Sequence, residues 1–359
     1  MNTVWKPGIE DTRIESIQQM IPPGILKDKN HQPLSKKSWA TVRKWRASLD
    51  AILGKKDDRL AVIVGPCSIH EIKSAKEYAE RIQEVRKEFG KELEIVLRAY
   101  FEKPRTDIGW KGLIMDPDRD GTNNISRWLE IARWFLLYCN NKWIPCATEF
   151  LDAIIPQYIA DLIAYGAIGA RTTESQIHRQ LASGLSMPVG FKNGTSGSIQ
   201  MAVDAVKAAN NPHSFLSVTD QWTCAIVETV GNELAHIILR WGKETNFDAE
   251  SIESARSMLE KKWLLQSIVV DASHGNSRKD HRNQPGVVTS LAQQIWNGNI
   301  SITGVMIESH LVEGKQNDTG NDKNNTYGQS ITDACVWWET TEEMLRELAK
   351  VVRERRSKK

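Results

Sequence analysis

The segment Leu60-Ala-Val-Ile-Val-Gly-Pro-Cys-Ser-Ile-His70 decides the fold of this chain. Its first five residues are apolar and mostly β-branched, which is typical of a strand buried on both faces of a parallel sheet. Gly65, Pro66, Cys67 and Ser68 follow the strand directly, and a helical pattern covers 74–89. The segment therefore predicts one strand–helix unit with reactive side chains at the carboxyl end of its strand.

Seven more units of this kind follow along the chain. The predicted strands are 60–64, 94–99, 144–149, 167–171, 188–192, 236–240, 267–273 and 302–309. Helical patterns cover 74–89, 124–139, 154–164, 198–209, 249–262 and 284–296, and a final one covers 341–355. Eight strand–helix units predict an α/β fold, a (β/α)8 TIM barrel, with a doubly wound sheet as the alternative.

Two segments stand outside the repeat. Residues 1–55 are mixed and polar, contain a predicted helix over 37–53, and form an N-terminal extension ahead of a barrel at 56–359. Two β-like runs at 215–218 and 225–230 predict an inserted β-hairpin at about 213–232.

The composition excludes several classes of protein. The 359 residues include 47 Lys and Arg against 45 Asp and Glu, and this net charge of +2 gives no electrostatic basis for binding nucleic acid or a membrane surface. No apolar run approaches the roughly 20 residues of a membrane span, and the polar N-terminus does not resemble a signal peptide. Five scattered cysteines do not form a disulfide framework. We therefore expect a cytoplasmic enzyme.

Cations recur at the predicted strand ends, which meet at one mouth of a barrel. They are Arg98, Lys103, Arg105, Arg171, Lys192 and Arg240. Clustered like charges imply anionic ligands, and arginine suits phosphate and carboxylate groups. Six cations exceed the needs of one phosphate, so we expect two phosphorylated substrates, or a phosphate and a carboxylate. The alternative is that each side chain extends into solvent from a strand end.

A second group at the same strand ends has the chemistry of metal ligands. It consists of Cys67, His274, Glu308 and Asp333. A thiolate, an imidazole and two carboxylates suit a borderline divalent ion such as Mn, Fe, Co or Zn. Such an ion can polarise a carbonyl as a Lewis acid. A nucleophilic Cys67–His274 pair is the alternative that the residues leave open.

Five long motifs resemble those of the type I, feedback-regulated microbial 3-deoxy-D-arabino-heptulosonate 7-phosphate (DAHP) synthases. The motifs are Gly65-Pro-Cys-Ser-Ile-His70, Tyr100-Phe-Glu-Lys-Pro-Arg-Thr106, Gly109-Trp-Lys-Gly-Leu113, Gly169-Ala-Arg-Thr-Thr-Glu-Ser-Gln176 and Gly190-Phe-Lys-Asn-Gly-Thr195. The resemblance covers nearly the whole chain, from about Glu10 to about Val352. It implies condensation of phosphoenolpyruvate with erythrose 4-phosphate and release of phosphate.

The resemblance also implies a role for each matched residue. Cys67, His274, Glu308 and Asp333 match the metal ligands. Phosphoenolpyruvate contacts are implied for Arg98, Lys103, Arg171, Lys192 and Arg240, with Glu149 close by, and an aldose phosphate contact for Arg105 and Thr106. The catalytic candidates are Lys103, which would help the metal to polarise the aldehyde, and Glu149, Lys192 and His274 as unranked proton carriers.

Two other functions compete with this interpretation. The first is 3-deoxy-octulosonate 8-phosphate synthase, which uses arabinose 5-phosphate on a similar barrel. The Lys103-Pro-Arg-Thr106 run and the N-terminal extension favour the DAHP reaction. The second is a non-catalytic paralogue that binds a ligand or partner, although all the matched catalytic positions are filled.

The resemblance further implies feedback inhibition by an aromatic amino acid, with phenylalanine favoured. The N-terminal extension and the hairpin contribute to that site in the family. The comparable residues are Glu10, Asp11, Pro156, Gln157, Leu181, Leu185, Phe215 and Ser217. The family also suggests that the chain forms a homodimer or homotetramer.

Tryptophan is unusually frequent: the chain has 13 Trp with only 7 Phe and 6 Tyr. Trp110 and Trp338 stand where the family has Trp, but seven others stand where it usually has Gly: Trp45, Trp128, Trp143, Trp222, Trp241, Trp263 and Trp337. Trp143 and Trp263 lie between a predicted helix and strand, where a left-handed cap calls for glycine and another residue costs about 1–2 kcal/mol. Trp241 follows Arg240 directly and is expected to crowd the pocket. Either the chain tolerates these residues, or UGA codons that mean glycine are read here as tryptophan.

Overall fold

The computed structural model describes residues 11–105, 107–121, 124–241, 244–320 and 324–358. Their strands are β1 (Leu60–Gly65), β2 (Leu93–Arg98), β3 (Cys146–Glu149), β4 (Tyr165–Ile168), β5 (Val189–Lys192), β6 (Ser214–Val218), β7 (Cys224–Glu228), β8 (His236–Leu239), β9 (Ile268–Asp271), β10 (Ile302–Glu308), β11 (Val312–Lys315) and β12 (Gln329–Ser330). Eight of them close a parallel barrel in the order β1-β10-β9-β8-β5-β4-β3-β2. The predicted TIM barrel is confirmed.

The α-helices are α1 (Pro23–Leu26), α2 (Lys36–Leu53), α3 (Ile72–Phe89), α4 (Ile125–Asn141), α5 (Pro156–Ile159), α6 (Gln176–Gly184), α7 (Ile199–Ala209), α8 (Ala249–Lys261), α9 (Gln284–Trp296) and α10 (Trp338–Ser357). The helix predicted over 154–164 is wrong in length, because α5 is followed only by a 3-10 turn at Ala160–Leu162. Extended backbone at Ile163 leads into β4, which begins two residues before the predicted strand and ends before Arg171. The Gly169 carbonyl accepts hydrogen bonds from the backbone N–H groups of Thr172 and Thr173, so the chain turns there.

Alternation along the strands separates two apolar layers. In β1, Leu60, Val62 and Val64 pack in the layer shared with the surrounding helices. Ala61 and Ile63 belong to a second cluster inside the barrel. Because side chains of a strand point to opposite faces in turn, a near-continuous apolar run fills both layers.

Helix α2 closes the amino-terminal end of the barrel. Leu49 and Ile52 from this helix belong to the interior cluster. Arg46 from the same helix donates to the backbone oxygens of Ala160 and Ile163 at 2.6 and 2.9 Å. With this end covered, the polar strand ends are left at the opposite mouth.

The predicted hairpin is present as an antiparallel pair, β6 and β7. Its turn contacts the N-terminal segment, where Lys27 Nζ lies 2.9 Å from Asp220 Oδ1 and the Gly24 N–H donates to the Asp220 carbonyl. Its base contacts α6, since the hydroxyls of Ser183 and Thr229 lie 2.7 Å apart. The hairpin thus bridges the N-terminal segment and the barrel.

Among the described residues, no helix combines the length and apolarity needed to cross a membrane.

Candidate active site

The polar residues of the mouth lie two positions beyond core residues of the barrel interior. Val96, Ala147, Val269 and Met306 belong to the interior cluster. The residues two positions further along are Arg98, Glu149, Asp271 and Glu308, and all four are buried. Because the side-chain period of a strand is two, these residues point into the barrel one layer above its core.

Arg98 connects three of the strand ends. Its guanidinium donates to the backbone oxygens of Pro66 and Cys67, both at 3.1 Å, and to Glu308 Oε1 at 2.8 Å. The guanidinium also lies 3.6 Å from the centre of the Tyr100 ring. A side chain at Gly65 would clash with this arrangement, since its Cβ would lie 2.8 Å from the Arg98 backbone oxygen. Arg98 therefore fixes the loop that carries Cys67 and the carboxylate of Glu308.

Cys67, Glu308 and Asp333 form a cluster in which one ligand atom from each lies within 4.8 Å of the others. Asp333 reaches the cluster because bridges join Ser309 to Val336 and Gly314 to Cys335, which fold the loop after β12 over the mouth. Three of the four predicted metal ligands are thus brought together.

Lys103 provides the positive charge beside this cluster. Its Nζ lies 2.7 Å from Cys67 Sγ and 2.9 Å from Asp333 Oδ2. Burial raises the pKa of the Cys67 thiol to about 12, with Glu308 adding to the rise and Lys103 opposing it. Lys103 holds the pKa of Asp333 well below its usual range.

His274, the fourth predicted ligand, lies beside the cluster with its Nε2 3.5 Å from Glu308 Oε1. Its Nδ1 lies 2.9 Å from Asp271 Oδ2 and 2.8 Å from the Ser273 hydroxyl. Nδ1 faces both the Asp271 carboxylate and the Ser273 hydroxyl, so a proton on Nδ1 would leave the lone pair of Nε2 for a ligand. The backbone of His274 has φ +56°, a left-handed conformation that is uncommon outside glycine and is often found at functional sites.

Lys192 lies between two buried carboxylates. Its Nζ is 3.3 Å from Glu149 Oε2 and 3.8 Å from Asp271 Oδ2. Burial disfavours ionisation of Glu149, but Lys192, with Arg98 and Lys103, holds its pKa below the ordinary value. Burial likewise opposes ionisation of Asp271, yet His274, Lys192 and Arg98 keep its pKa well below the ordinary value.

The other predicted cations lie further out. Arg240 directly follows β8, and its backbone N–H donates to Asn193 Oδ1 at 2.9 Å. Arg105 is exposed and donates to the Trp110 carbonyl at 2.7 Å, and Arg171 is exposed on the turn after β4. Thr106 lies outside the described residues, as does Glu10 of the predicted regulatory set.

Asp271 and Ser273 were missed as site residues by the sequence reasoning. Both orient His274, and Ser273 Oγ also donates to Asp271 Oδ1 at 2.5 Å. The signal that could have found Asp271 is its place at the end of a predicted strand, three residues before a candidate ligand. A histidine ligand commonly needs such a partner on its second nitrogen.

Fold and site together define a (β/α)8 barrel enzyme whose mouth is built to bind anionic substrates. The sequence model of the DAHP synthetase I family matches residues 32–346. The chain therefore belongs to the DAHP synthetase I family, as its motifs predict.

Individual relatives agree with this assignment. The chain is 51% identical to the Phe-sensitive phospho-2-dehydro-3-deoxyheptonate aldolase of Escherichia coli K12, over 97% of this chain and 98% of the relative. It is 48% identical to the Trp-sensitive enzyme of the same organism, over 96% of this chain and 98% of the relative. A solved phospho-2-dehydro-3-deoxyheptonate aldolase from Francisella tularensis is 50% identical, with a TM-score of 0.92 over 95% of this chain and 99% of that one.

The charge arrangement around Lys192 leads to a stability prediction. We expect Lys192→Met to lower the free energy of unfolding by about 3–5 kcal/mol, because it leaves the buried carboxylates of Glu149 and Asp271 without a nearby ammonium. Adding Glu149→Gln should recover part of that loss. Denaturant unfolding measures both effects, with Lys207→Met on the exposed side of α7 as the matched control. Equal midpoints for Lys192→Met and Lys207→Met would contradict the prediction.

Proposed function

We propose that the chain condenses phosphoenolpyruvate with erythrose 4-phosphate at this mouth, giving DAHP and inorganic phosphate. The observation that carries the proposal is the juxtaposition of buried cations with a thiol–carboxylate cluster. The cations suit the phosphate and carboxylate groups of two substrates. The cluster lies where the aldehyde would have to be activated.

Cys67, His274, Glu308 and Asp333 fit a divalent metal ion, for which we propose Mn, Fe, Co or Zn. Their sulfur, nitrogen and oxygen donors match a borderline ion, and the spacing of Cys67, Glu308 and Asp333 allows one ion to reach all three. When bound, such an ion polarises the aldehyde oxygen of the aldose. Lys103 favours the thiolate form of Cys67 that ligation requires, because its ammonium lies 2.7 Å from Sγ.

Different cations would bind the two substrates. Lys192 and Arg98 lie deep in the mouth and would hold phosphoenolpyruvate together with Lys103, Arg171 and Arg240. Arg105 and Thr106, further out along the chain from β2, would hold the phosphate of erythrose 4-phosphate. Fixing both substrates in one orientation makes attack of the phosphoenolpyruvate C3 on the aldehyde effectively intramolecular, and the cations stabilise the charge that develops.

Water must add at C2 of phosphoenolpyruvate, and the resulting hemiketal phosphate must lose phosphate, so protons have to be moved. Lys192 and Glu149 suit this task because Nζ and Oε2 lie 3.3 Å apart beside the mouth. His274 is the third candidate, but its Nδ1 is engaged by Asp271. We therefore assign proton transfer first to the Lys192–Glu149 pair.

The decisive assay follows phosphate release from phosphoenolpyruvate with either erythrose 4-phosphate or arabinose 5-phosphate, with Mn²⁺ or with a chelator. We expect turnover with the four-carbon aldose alone and its loss on chelation. Turnover only with arabinose 5-phosphate would establish the eight-carbon product instead. Turnover that survives complete metal removal would refute the metal proposal while leaving the reaction intact.

Asp271→Asn tests the proposed metal site without relying on activity. The substitution removes the charge that holds the Nδ1 proton of His274, so we expect Mn²⁺ affinity to fall about 10- to 100-fold. Equilibrium dialysis of the purified protein measures it. Asp280→Asn, on the exposed loop beyond His274, is the matched control and should leave the affinity unchanged. An unaltered affinity in Asp271→Asn would exclude a role for Asp271 in orienting a ligand.

We also propose feedback inhibition by an aromatic amino acid, with phenylalanine as the effector. Tyr158 of α5 supports this location, because its hydroxyl donates to the Ile21 carbonyl of the N-terminal segment, and that segment contacts Asp220 in the hairpin turn through Lys27 and Gly24. The N-terminal segment, α5 and the hairpin therefore meet, and these elements carry several of the proposed effector residues. Those described are Asp11, Pro156, Gln157, Leu181, Leu185, Phe215 and Ser217.

Exposed apolar side chains lie on two of these elements: Ile17 on the N-terminal segment, and Leu216 and Ile226 on the hairpin. We propose that they are covered in a homodimer or homotetramer.

Assays of the rate with each aromatic amino acid test the regulatory proposal. Phenylalanine should lower the rate of the parent enzyme. Ser217→Ala should weaken that inhibition several-fold without changing the uninhibited rate, because Ser217 lies on β6, outside the catalytic mouth. Ser214→Ala, at the other end of the same strand, is the control. Rates unchanged by phenylalanine, tyrosine and tryptophan would reject the proposal.

A further inference from the structure

Three tryptophans adopt a backbone conformation that favours glycine. Trp143, Trp222 and Trp263 have φ of +63°, +65° and +58°. The described residues include nine non-glycine residues with positive φ, so a third of these strained positions carry a residue type that makes up only 13 of 359 in the chain. Such positions normally take glycine or, less often, Asn or Asp, because a β-carbon crowds the following carbonyl.

Trp143 and Trp263 occupy the same place in two identical helix ends. The Trp143 N–H donates to the Asn140 carbonyl, and the next residue donates to Cys139; the Trp263 N–H donates to Glu260, and the next residue donates to Leu259. These pairs of bonds form the Schellman motif, in which the left-handed residue is usually glycine. Trp263 is 96% exposed, so packing of its side chain does not offset the backbone strain.

Trp222 occupies the turn of the hairpin. Its N–H donates to the Thr219 carbonyl at 2.9 Å, and the Thr219 N–H donates to the Thr223 carbonyl, also at 2.9 Å. A left-handed residue at the end of such a hairpin loop is typically glycine.

Trp241 shows a different kind of misfit, inside the proposed active site. The Trp241 side chain is pressed against the backbone of Gly275. A β-carbon added to Gly275 would lie only 2.0–2.3 Å from Cγ, Cδ1 and Cβ of Trp241. Trp241 follows Arg240, and Gly275 follows His274, so the indole lies between two loops that carry site residues. Arg240 Nε is buried without a hydrogen-bond partner among the described residues.

We infer that the natural polypeptide carries glycine at positions 143, 222, 241 and 263, encoded by UGA codons that the source organism reads as glycine. A single codon with two meanings explains why structurally unrelated positions all carry the same unexpected residue, tryptophan where glycine fits. The same explanation covers Trp45 and Trp128, whose indole N–H groups are buried without an acceptor among the described residues. Nothing in the structure explains why Trp337 stands where the family usually has Gly.

Two other tryptophans fit their surroundings and serve as internal controls. Trp338 is buried, with its ring edge-on to Tyr78 at 5.3 Å. Trp110 donates its indole N–H to the Asp116 carbonyl. We therefore expect genuine tryptophan at both positions.

Thermal unfolding of single variants tests the backbone argument, independently of the proposed function. Trp263→Gly should raise Tm by about 2–4 °C, whereas Trp263→Ala, which removes the same side chain but keeps a β-carbon, should not. Trp143→Gly and Trp143→Ala should differ in the same direction. Trp338→Gly should lower Tm. Equal Tm values for the Gly and Ala variants at both positions would overturn the structural basis of the inference.

A test at position 241 rests on the proposed function, because it measures binding of a proposed substrate. Trp241→Gly should tighten phosphoenolpyruvate binding about tenfold or more, measured by titration calorimetry, because it frees the loops that carry Arg240 and His274. Unchanged binding, with higher Tm in the other glycine variants, would confine the effect to stability and remove position 241 from the inference.

The coding DNA and the natural protein give the final test. UGA at positions 143, 222, 241 and 263 with UGG at 110 and 338, and glycine in the peptides of the natural protein, would support the inference. UGG at the four positions, or tryptophan in those peptides, would overturn it.

Discussion

The guanidinium of Arg98 is the contact on which the mouth of the barrel depends. It contributes one end of the buried ion pair with Glu308 and holds the carbonyls of Pro66 and Cys67. Its five N–H donors in a rigid plane suit this task, because one group can fix several acceptors in one geometry. Two proposed metal ligands, Cys67 in the loop after β1 and Glu308 at the end of β10, are therefore positioned by a single side chain, which couples the proposed metal cluster to the cation set.

A balance of charge explains how so many ionised groups can lie in this mouth. A buried charge is costly unless it is paired, and removing one partner leaves the other uncompensated. Lys192 faces Glu149 and Asp271, and Lys103 faces the cluster at Cys67 and Asp333. Arg105 and Arg171 are exposed, so solvent screens their charges.

The sequence predicted all eight barrel strands, because buried parallel strands are short apolar runs and the helices between them have a different period. It also predicted which polar residues lie at the strand ends. Every second side chain of a strand points into the barrel, so the face that fills the core continues to the mouth. It failed at 154–164, because the apolar residues there suit the extended backbone that leads into β4 as well as they suit a helix.

Tertiary contacts account for the residues that the sequence could not place. Asp271 belongs to the site because its Oδ2 lies 2.9 Å from Nδ1 of His274, and nothing in a single strand end distinguishes an orienting carboxylate from a structural one. Asp333 is similar: the bridges from Ser309 to Val336 and from Gly314 to Cys335 bring it to Cys67, which lies 266 residues away in sequence.

The positions of the misfitting tryptophans explain why the fold survives them. Trp143 and Trp263 follow helices, and Trp222 and Trp241 lie in loops, so none of the four occupies a ladder position of the barrel. Register in a barrel is set by the strands, and a strained loop residue costs stability without shifting the strands that it joins. Trp241 differs because the loops at the mouth are themselves the binding surface. Strain at a helix end therefore costs only stability, whereas the indole at position 241 lies between the loops that carry Arg240 and His274, where we propose that substrate binds.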